Sequence, residues 1–297
     1  MEHNQDWLNL SLDCADEHEL EIVEEALFFA GALSVSYEAV DDEEIFEPPV
    51  GTTPLWQNTR ITALFEKNAN LGEILAQLDE MLGEKLRFNS KFFQDIEWTR
   101  AWLDYFKPIE FVGKQKRLWV GATEHEIKDN QGVILRLDPG LAFGTGTHPS
   151  TAMCLQFLAD TDLNGKALYD YGCGSGILGI AAGLLGAKEI YQTDIDPQAL
   201  TASLDNAQKN KVEHKIKILQ NPDDAPQVDI LVANILLEPL CFLKSQFEKH
   251  LKDHTVLVFA GILERQQARI EEVYGEQFHI ERINERDEWI CLKLSKK

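Results

Sequence analysis

At 297 residues, with 44% hydrophobic and 26% charged residues, the chain has the composition of an ordinary globular protein and a length that suits two domains of roughly 150 residues each. No apolar run approaches the ~18 residues that cross a bilayer, and the start MEHNQDWLNLSLD lacks the basic flank and apolar core of a signal peptide, so a cytoplasmic protein without a membrane partner is expected. The formal net charge is −22; residues 1–98 hold 22 acidic and 5 basic side chains, a net of −17, and residues 99–297 hold 28 and 23, a net of −5.

Such a first third repels phosphate backbones and attracts basic proteins, which disfavours stable nucleic-acid binding. The dispersed cysteines Cys14, Cys154, Cys173, Cys241 and Cys291 form no CxxC pair, and no histidines cluster near them. Reduced thiols and no metal are expected. Cys173 sits in a glycine turn without a paired His, which favours a residue that fits the turn over a nucleophile.

In chain order, residues 7–12 alternate as a strand, 17–32 have a helical period closed by Gly31, and 33–40 return as a strand. After the turn-rich 47–54, strand 59–66, helix 70–83 and strand 85–93 repeat the round. The order βαββαβ is the ferredoxin-like pattern, and the unit carries no convergent His, Ser or Cys. Its expected role is interaction. In 98–111, Trp98, Trp102 and Phe106 recur every four residues and Pro108 stops the run, the spacing of a connecting helix. From residue 117 onward strands follow at 117–122, 133–138, 166–172, 188–194, 215–220, 228–235 and 255–261, the later ones separated by helices such as 197–210 and 238–251. Apolar strands with helical crossovers indicate a parallel sheet covered on both faces. The last two strands, 277–284 and 288–294, leave no room for a crossover and must pair antiparallel.

The segment 166–187 reads strand, glycine turn, helix. Gly174, Gly176 and Gly179 satisfy G-x-G-x-x-G, and Asp194 follows Gly174 by 20 residues at the end of the next strand, where a carboxylate takes ribose hydroxyls. Alone, that pattern fits a nicotinamide dinucleotide and an oxidoreductase. Asp170, just before the turn, would oppose a pyrophosphate there. A ligand with a cationic head, such as S-adenosylmethionine, would gain from Asp170 at its amino-acid end, directly or through water, and from Asp194 at its ribose. Asn234 ends the apolar strand 228–235, and its carboxamide oxygen can accept a hydrogen bond from an amine and aim the amine's lone pair at a methyl carbon. Asn234 is the candidate catalytic residue.

The stretch 137-LDPGLAFGTGTHPST-151 precedes that turn closely. Its Gly144-Thr145-Gly146 segment can lie over a ligand, and Phe143 can cover an apolar face. Pro149 marks a helix start with Thr147 or His148 as N-cap. The free N–H groups there, with Thr151, can meet a carboxylate. His148 is a weak candidate for a general base, because a loop His beside Pro serves more often as a cap.

At these residues the chain resembles the bacterial ribosomal protein L11 methyltransferases: LDPGLAFGTGTHPST, DYGCGSGILGIAA, TDIDPQAL and ANIL stand in that family's order and spacing, as do TPLWQNTRITALF and WTRAWLDYFKPI. The resemblance implies an α/β chain with a ferredoxin-like substrate-recognition domain (residues 1–97), a connecting helix or linker (98–111) and a Rossmann-like class I methyltransferase domain (112–297) with a mostly parallel sheet and an antiparallel edge. It implies S-adenosylmethionine as cofactor, held by Thr151, Gly172, Asp194 and Asn234 under the loop 143–147; the turn adds Gly174. It further implies methylation of lysine ε-amines and the N-terminal α-amine of ribosomal protein L11, up to trimethylation. The free protein is the expected substrate rather than the ribosome, and the enzyme is expected to be monomeric. NILLEPL is bulkier and more charged in its middle than the family's usual segment, which bears on the acceptor channel. A class I methyltransferase acting on a different basic protein is the alternative.

Overall fold

The computed structural model describes residues 7–14, 17–41, 55–56, 58–67, 69–83, 87–93, 107–129, 131–138 and 146–297. The chain divides into two compact units, Met1–Ala101 and Trp102–Lys297. Trp98, Trp102 and Phe106 of the expected connecting helix lie outside the described residues, as do Phe143, Gly144 and Thr145.

In the first unit, β1 (Trp7–Cys14), α1 (Glu17–Phe29), β2 (Ser34–Ala39), β3 (Thr59–Phe65), α2 (Leu71–Leu82) and β4 (Asn89–Phe93) follow the βαββαβ order. The sheet order is β2-β3-β1-β4 with every neighbouring pair antiparallel, the split βαβ arrangement. Strict alternation produces it: Leu8, Leu10 and Leu12 of β1 and Ile61, Ala63 and Phe65 of β3 are buried on one face. Leu20, Val23 and Leu27 of α1 and Ile74 and Leu78 of α2 close over that face. Asn70 caps α2 by accepting from the Gly72 and Glu73 amides.

The second unit begins with a small sheet of β5 (Ile109–Val112), β6 (Arg117–Gly121) and β7 (Val133–Arg136). Two expectations change here. Residues 109–111, expected in the connector, belong to a strand, because Pro108 breaks the preceding pattern and Phe111 is buried against the core. Strands 117–122 and 133–138 do not join the large sheet: β6 pairs antiparallel with β5 and parallel with β7.

The large sheet contains β8 (Ala167–Tyr171), β9 (Glu189–Thr193), β10 (Ile216–Ile218), β11 (Val228–Asn234), β12 (Leu251–Leu263), β13 (Phe278–Arg286) and β14 (Trp289–Lys296), in the order β10-β9-β8-β11-β12-β14-β13. The first five run parallel, and β14 is antiparallel to both β12 and β13. The helices are α3 (Pro149–Asp160), α4 (Ile177–Leu185), α5 (Pro197–Lys209), α6 (Leu237–Phe242), α7 (Lys244–Glu248) and α8 (Gln267–Tyr274). The expected helix 238–251 is thus two short ones, α6 and α7.

Successive strand residues feed opposite cores. Leu168, Ile230, Val232 and Val258 pack with Leu155, Leu158 and Ile180 of α3 and α4. Tyr169, Leu231, Leu257 and Phe259 pack with Leu240, Phe247 and Tyr274 of α6 to α8. This two-faced burial is why these strands read as continuous apolar runs. From β8 the chain steps outward to β9 and β10, then returns to β11 and β12 on the other side. The order reverses between β8 and β11, where open α/β sheets bind ligands at the carboxyl ends of the strands. Among the described residues, no helix is long and apolar enough to cross a membrane.

Candidate active site

At the switch point, β8 ends in Asp170 and Tyr171 and passes into the glycine turn. Gly172, Gly174 and Gly176 have φ of +74°, +53° and +78°, values that L side chains adopt only under strain. Contacts reinforce this at two of them. A Cβ on Gly172 would lie 2.5 Å from Cγ2 of Ile235, and one on Gly176 would lie 2.3 Å from Oγ of Ser203.

The turn is held from β9. The amides of Gly172 and Cys173 donate to the Thr193 carbonyl at 2.9 and 3.0 Å. The amide of Gly174 donates to Oδ2 of Asp194 at 2.8 Å, and Oδ1 of Asp194 accepts from the Asp196 amide at 3.0 Å. Asp194 is therefore fixed in place while it still lines a cavity of about 540 Å³. Ile195, 99% exposed, extends from the same rim.

Asp170, expected to attract the ligand's amino-acid end directly or through water, stands behind the turn with its Oδ1 buried and without a partner among the described residues. It is 1% exposed and does not reach the cavity wall. Its Oδ2 accepts from the Gly179 amide at 3.0 Å and from Gln192 Nε2 at 2.9 Å, behind the turn. Gln192 also donates to the Gly176 carbonyl and accepts from Ser203 Oγ. Glycine at 179 leaves room for Gln192, which a Cβ there would meet at 2.6 Å, so that Gln192 and the Gly179 amide both reach the carboxyl. Burial pushes its pKa up to about 6, against the pull of the Gln192 and Gly179 hydrogen bonds. Burial likewise pushes the Cys173 thiol up, which agrees with a turn-filling residue.

The opposite wall comes from β11 and the residues after it. Asn234 stands one residue beyond the Ala233–Tyr171 pairing of β11 with β8, which sets it beside the glycine turn. Its Nδ2 donates to Oγ1 of Thr151 at 3.1 Å. Its Oδ1 is buried and has no hydrogen-bond partner among the described residues. Thr151, in the first turn of α3, is 1% exposed and does not line the cavity. Of the two N-cap candidates, His148 is the cap: its Nδ1 accepts from the Ser150 amide at 3.3 Å and lies 2.7 Å from Ser150 Oγ. Burial lowers the His148 pKa.

Several contributors were not anticipated. Trp289, at the start of β14, lines the cavity and meets the His148 ring edge-on with centroids 4.7 Å apart. Gly261, φ +78°, lies where β12 shifts register between Phe259 and Ile262, and a Cβ there would lie 2.7 Å from the Ile235 carbonyl oxygen. Glycine inside a strand near a switch point was the available signal for Gly261. Trp289 offered none, because no local motif marks it.

A sequence profile of the ribosomal protein L11 methyltransferase (PrmA) family matches residues 6–297. The chain belongs to this family. It is 53% identical over 290 residues to the ribosomal protein L11 methyltransferase of Dichelobacter nodosus, covering 97% of this chain and 98% of that one. It is 44% identical to the Methylococcus capsulatus protein of the same description, covering 96% and 98%. Among solved structures, the ribosomal protein L11 methylase of Lactobacillus delbrueckii subsp. bulgaricus superposes with a TM-score of 0.59 at 32% identity, covering 65% of this chain and all of that one. The second unit has the Rossmann-like class I methyltransferase fold of the family.

Proposed function

We propose that this family member transfers methyl groups from S-adenosylmethionine to ribosomal protein L11, at lysine ε-amines and the N-terminal α-amine and up to the trimethyl state. The observation that carries the reading is the pair of residues lining one apolar cavity at the switch point: Asp194, pinned by the glycine turn, and Asn234, whose buried Oδ1 has no partner among the described residues. The family match over nearly the whole chain supports the substrate.

The residues fit the cofactor. Asp194, which lines the cavity, takes the ribose hydroxyls in this reading, and the rim residue Ile195 offers an apolar face for a purine. The side-chain-free surfaces of Gly172 and Gly174 permit close approach of a ligand. Residues 143–147 are proposed to cover the site. Asp170 and Thr151 act through their neighbours, Asp170 on the turn and Thr151 on Asn234. When bound, S-adenosylmethionine supplies an electrophilic methyl on a sulfonium. The apolar walls exclude water and favour the neutral, nucleophilic form of an amine. Asn234 Oδ1 accepts an N–H of that amine and orients its lone pair, and orientation removes entropy from the barrier. The displaced proton leaves to solvent. In the neutral ring with Nδ1 accepting at the cap, Nε2 carries the proton, so His148 is a donor there rather than a base.

Residues 1–97 are proposed to recognise the substrate, with 98–111 as connector: their net acidity complements a basic protein and steers its approach. We further propose that the enzyme is a cytoplasmic monomer acting on free L11 rather than on the ribosome, without stable nucleic-acid binding. The test is intact-mass spectrometry of unmodified L11, free and in large subunits, incubated with this protein and S-adenosylmethionine, with Asp194→Ala as control. The expected result is a ladder of added methyls on free L11, slower on subunits and lost in the control. No mass gain on L11 while other basic proteins gain methyls would transfer the activity to a different substrate.

A further inference from the structure

The segment NILLEPL, whose bulk and charge stand out in the sequence, ends β11 and begins α6. Leu236, Pro239 and Leu243, three and four residues apart, share the side of that helix that lines the cavity. The apolar surface does not stop at the rim. Leu236 lines the cavity and is still 53% exposed, and Phe242, next to Pro239 on the helix surface, is 83% exposed. Leu236, Pro239 and Phe242 thus carry the cavity wall outward as a contiguous apolar strip, the kind of surface that marks contact with a partner.

Charge decides what can cover it. Glu238 is exposed and stands four residues before Phe242, so the two are neighbours on the outer side of α6. Arg269 lies within electrostatic reach of Glu238 but is bound to Glu272 at 2.6 Å, and Glu238 makes no ion pair among the described residues. Inside the cavity, Asp194 supplies a carboxylate and no Lys or Arg contributes to the lining. An occupant of this strip is therefore apolar where it meets Phe242 and cationic beside it.

We infer that Leu236, Phe242 and Glu238 form a docking surface for the acceptor protein, on which the stretch of chain beside the target amine lies: an apolar side chain of that stretch covers Phe242, and a second cationic side chain meets Glu238. The inference rests on the proposed methyl transfer and adds to it part of what selects the acceptor. At helical rise, Leu236 to Phe242 spans about 9 Å, the length of about three residues of extended chain. A lone lysine held in the cavity does not extend that far, whereas a lysine within a protein brings neighbours that do. Phe242 and Glu238 themselves stand outside the cavity lining, so the surface acts on capture of the acceptor and not on the transfer step.

The experiment uses the full chain with Phe242→Ala, Glu238→Gln and Glu238→Lys. Binding of unmodified L11 in the presence of S-adenosylhomocysteine is measured by calorimetry, and transfer is measured on L11 and on Nα-acetyl-lysine amide. Phe242→Ala should weaken L11 binding about tenfold, the scale of one buried aromatic anchor, and raise KM for L11 in parallel while kcat stays within about twofold. Glu238→Gln should weaken binding about threefold and Glu238→Lys further, and high salt should shrink both effects but not that of Phe242→Ala. Affinity for S-adenosylhomocysteine and transfer to the capped lysine should stay within about twofold in all three variants.

L11 binding unchanged by Phe242→Ala and Glu238→Lys would overturn the inference. A loss of S-adenosylhomocysteine affinity, or of transfer to the capped lysine, equal to the loss on L11 would also overturn it by placing the effect in the cavity. Self-association of the wild type that Phe242→Ala abolishes in analytical ultracentrifugation would make the strip an interface between copies instead. A wild type that binds L11 without methylating it would refute the proposed function, and calorimetry of the variants would still decide the docking surface; a wild type that neither binds nor methylates L11 would refute both.

Discussion

Replacing Gly172 by alanine tests whether the glycine turn and the residues after β11 form one packed wall. Gly172 has φ +74°, and the added Cβ would lie 2.5 Å from Cγ2 of Ile235, with the next atom, Cβ of Ile235, at 3.9 Å. A left-handed conformation costs an L-residue about 1–2 kcal/mol. Overpacking against one methyl adds about 1–3 kcal/mol, and reduced freedom of the unfolded chain returns about 0.4–1 kcal/mol. The net expectation is a destabilisation of about 3 kcal/mol. The contact and the backbone contributions separate in a cycle with Ile235→Ala, which deletes the clashing methyl. Native-state hydrogen exchange of the β11 amides reads the second unit by itself. The double variant should be more stable than the sum of the singles implies by about 1–3 kcal/mol, leaving the backbone part. Additivity within about 0.5 kcal/mol would refute the reasoning, because Gly172 would then be required for its φ alone and the two segments would not be coupled.

Other expectations concern two titratable groups. Asp170 binds its proton more tightly in the folded protein, about 6 against an ordinary 3.8, so its contribution to stability is fullest below pH 4 and declines as pH rises to about 6. The decline is on the order of 3 kcal/mol. Urea unfolding from pH 4 to 7 should show this decline in the wild type and a flatter profile in Asp170→Asn, and parallel profiles would mean that Asp170 does not titrate as a buried acid. His148→Ala should lower stability by about 1 kcal/mol through loss of the α3 cap while kcat keeps the shape of its pH profile; disappearance of a limb governed by a pKa below the usual histidine value would instead make His148 the base.

The positions of Asp194 and Asn234 were legible because each ends a strand whose apolar run is visible, and because the Gly174–Asp194 spacing reflects a fixed β-turn-α-β length. The first unit was legible through the alternation of Leu8, Leu10 and Leu12 against polar neighbours. What the sequence left open was direction and partnership. Asp170 is legible as a carboxylate before the turn that disfavours a pyrophosphate, but which way it points depends on Gln192, 22 residues away and itself fully buried. Thr151 was identified too, yet its partner lies 83 residues on. Strands 117–122 and 133–138 were recognised as strands, but alternation does not state which sheet a strand joins. Trp289 reaches the cavity only because β14 inserts antiparallel beside β12, a pairing set by the whole sheet.

The geometry around Ile235 explains why two glycines 89 residues apart serve one site. Ile235 follows Asn234 directly. Its side chain meets the place where Gly172 lacks a Cβ, and its backbone oxygen meets the place where Gly261 lacks one. The segment after β11 is thus held between β8's turn on one side and the bulge of β12 on the other. Asn234 also reaches α3 through Thr151. The Asn234 carboxamide is therefore positioned from three directions, none of which requires a bound ligand. The carboxylate of Asp194 is tied to the same glycine turn through Gly174. A shift of the turn would therefore act on Asp194 directly and, through Ile235, on the residue next to Asn234. On the proposed reading, a scaffold held in this way is what an in-line transfer needs to keep its reacting groups in register.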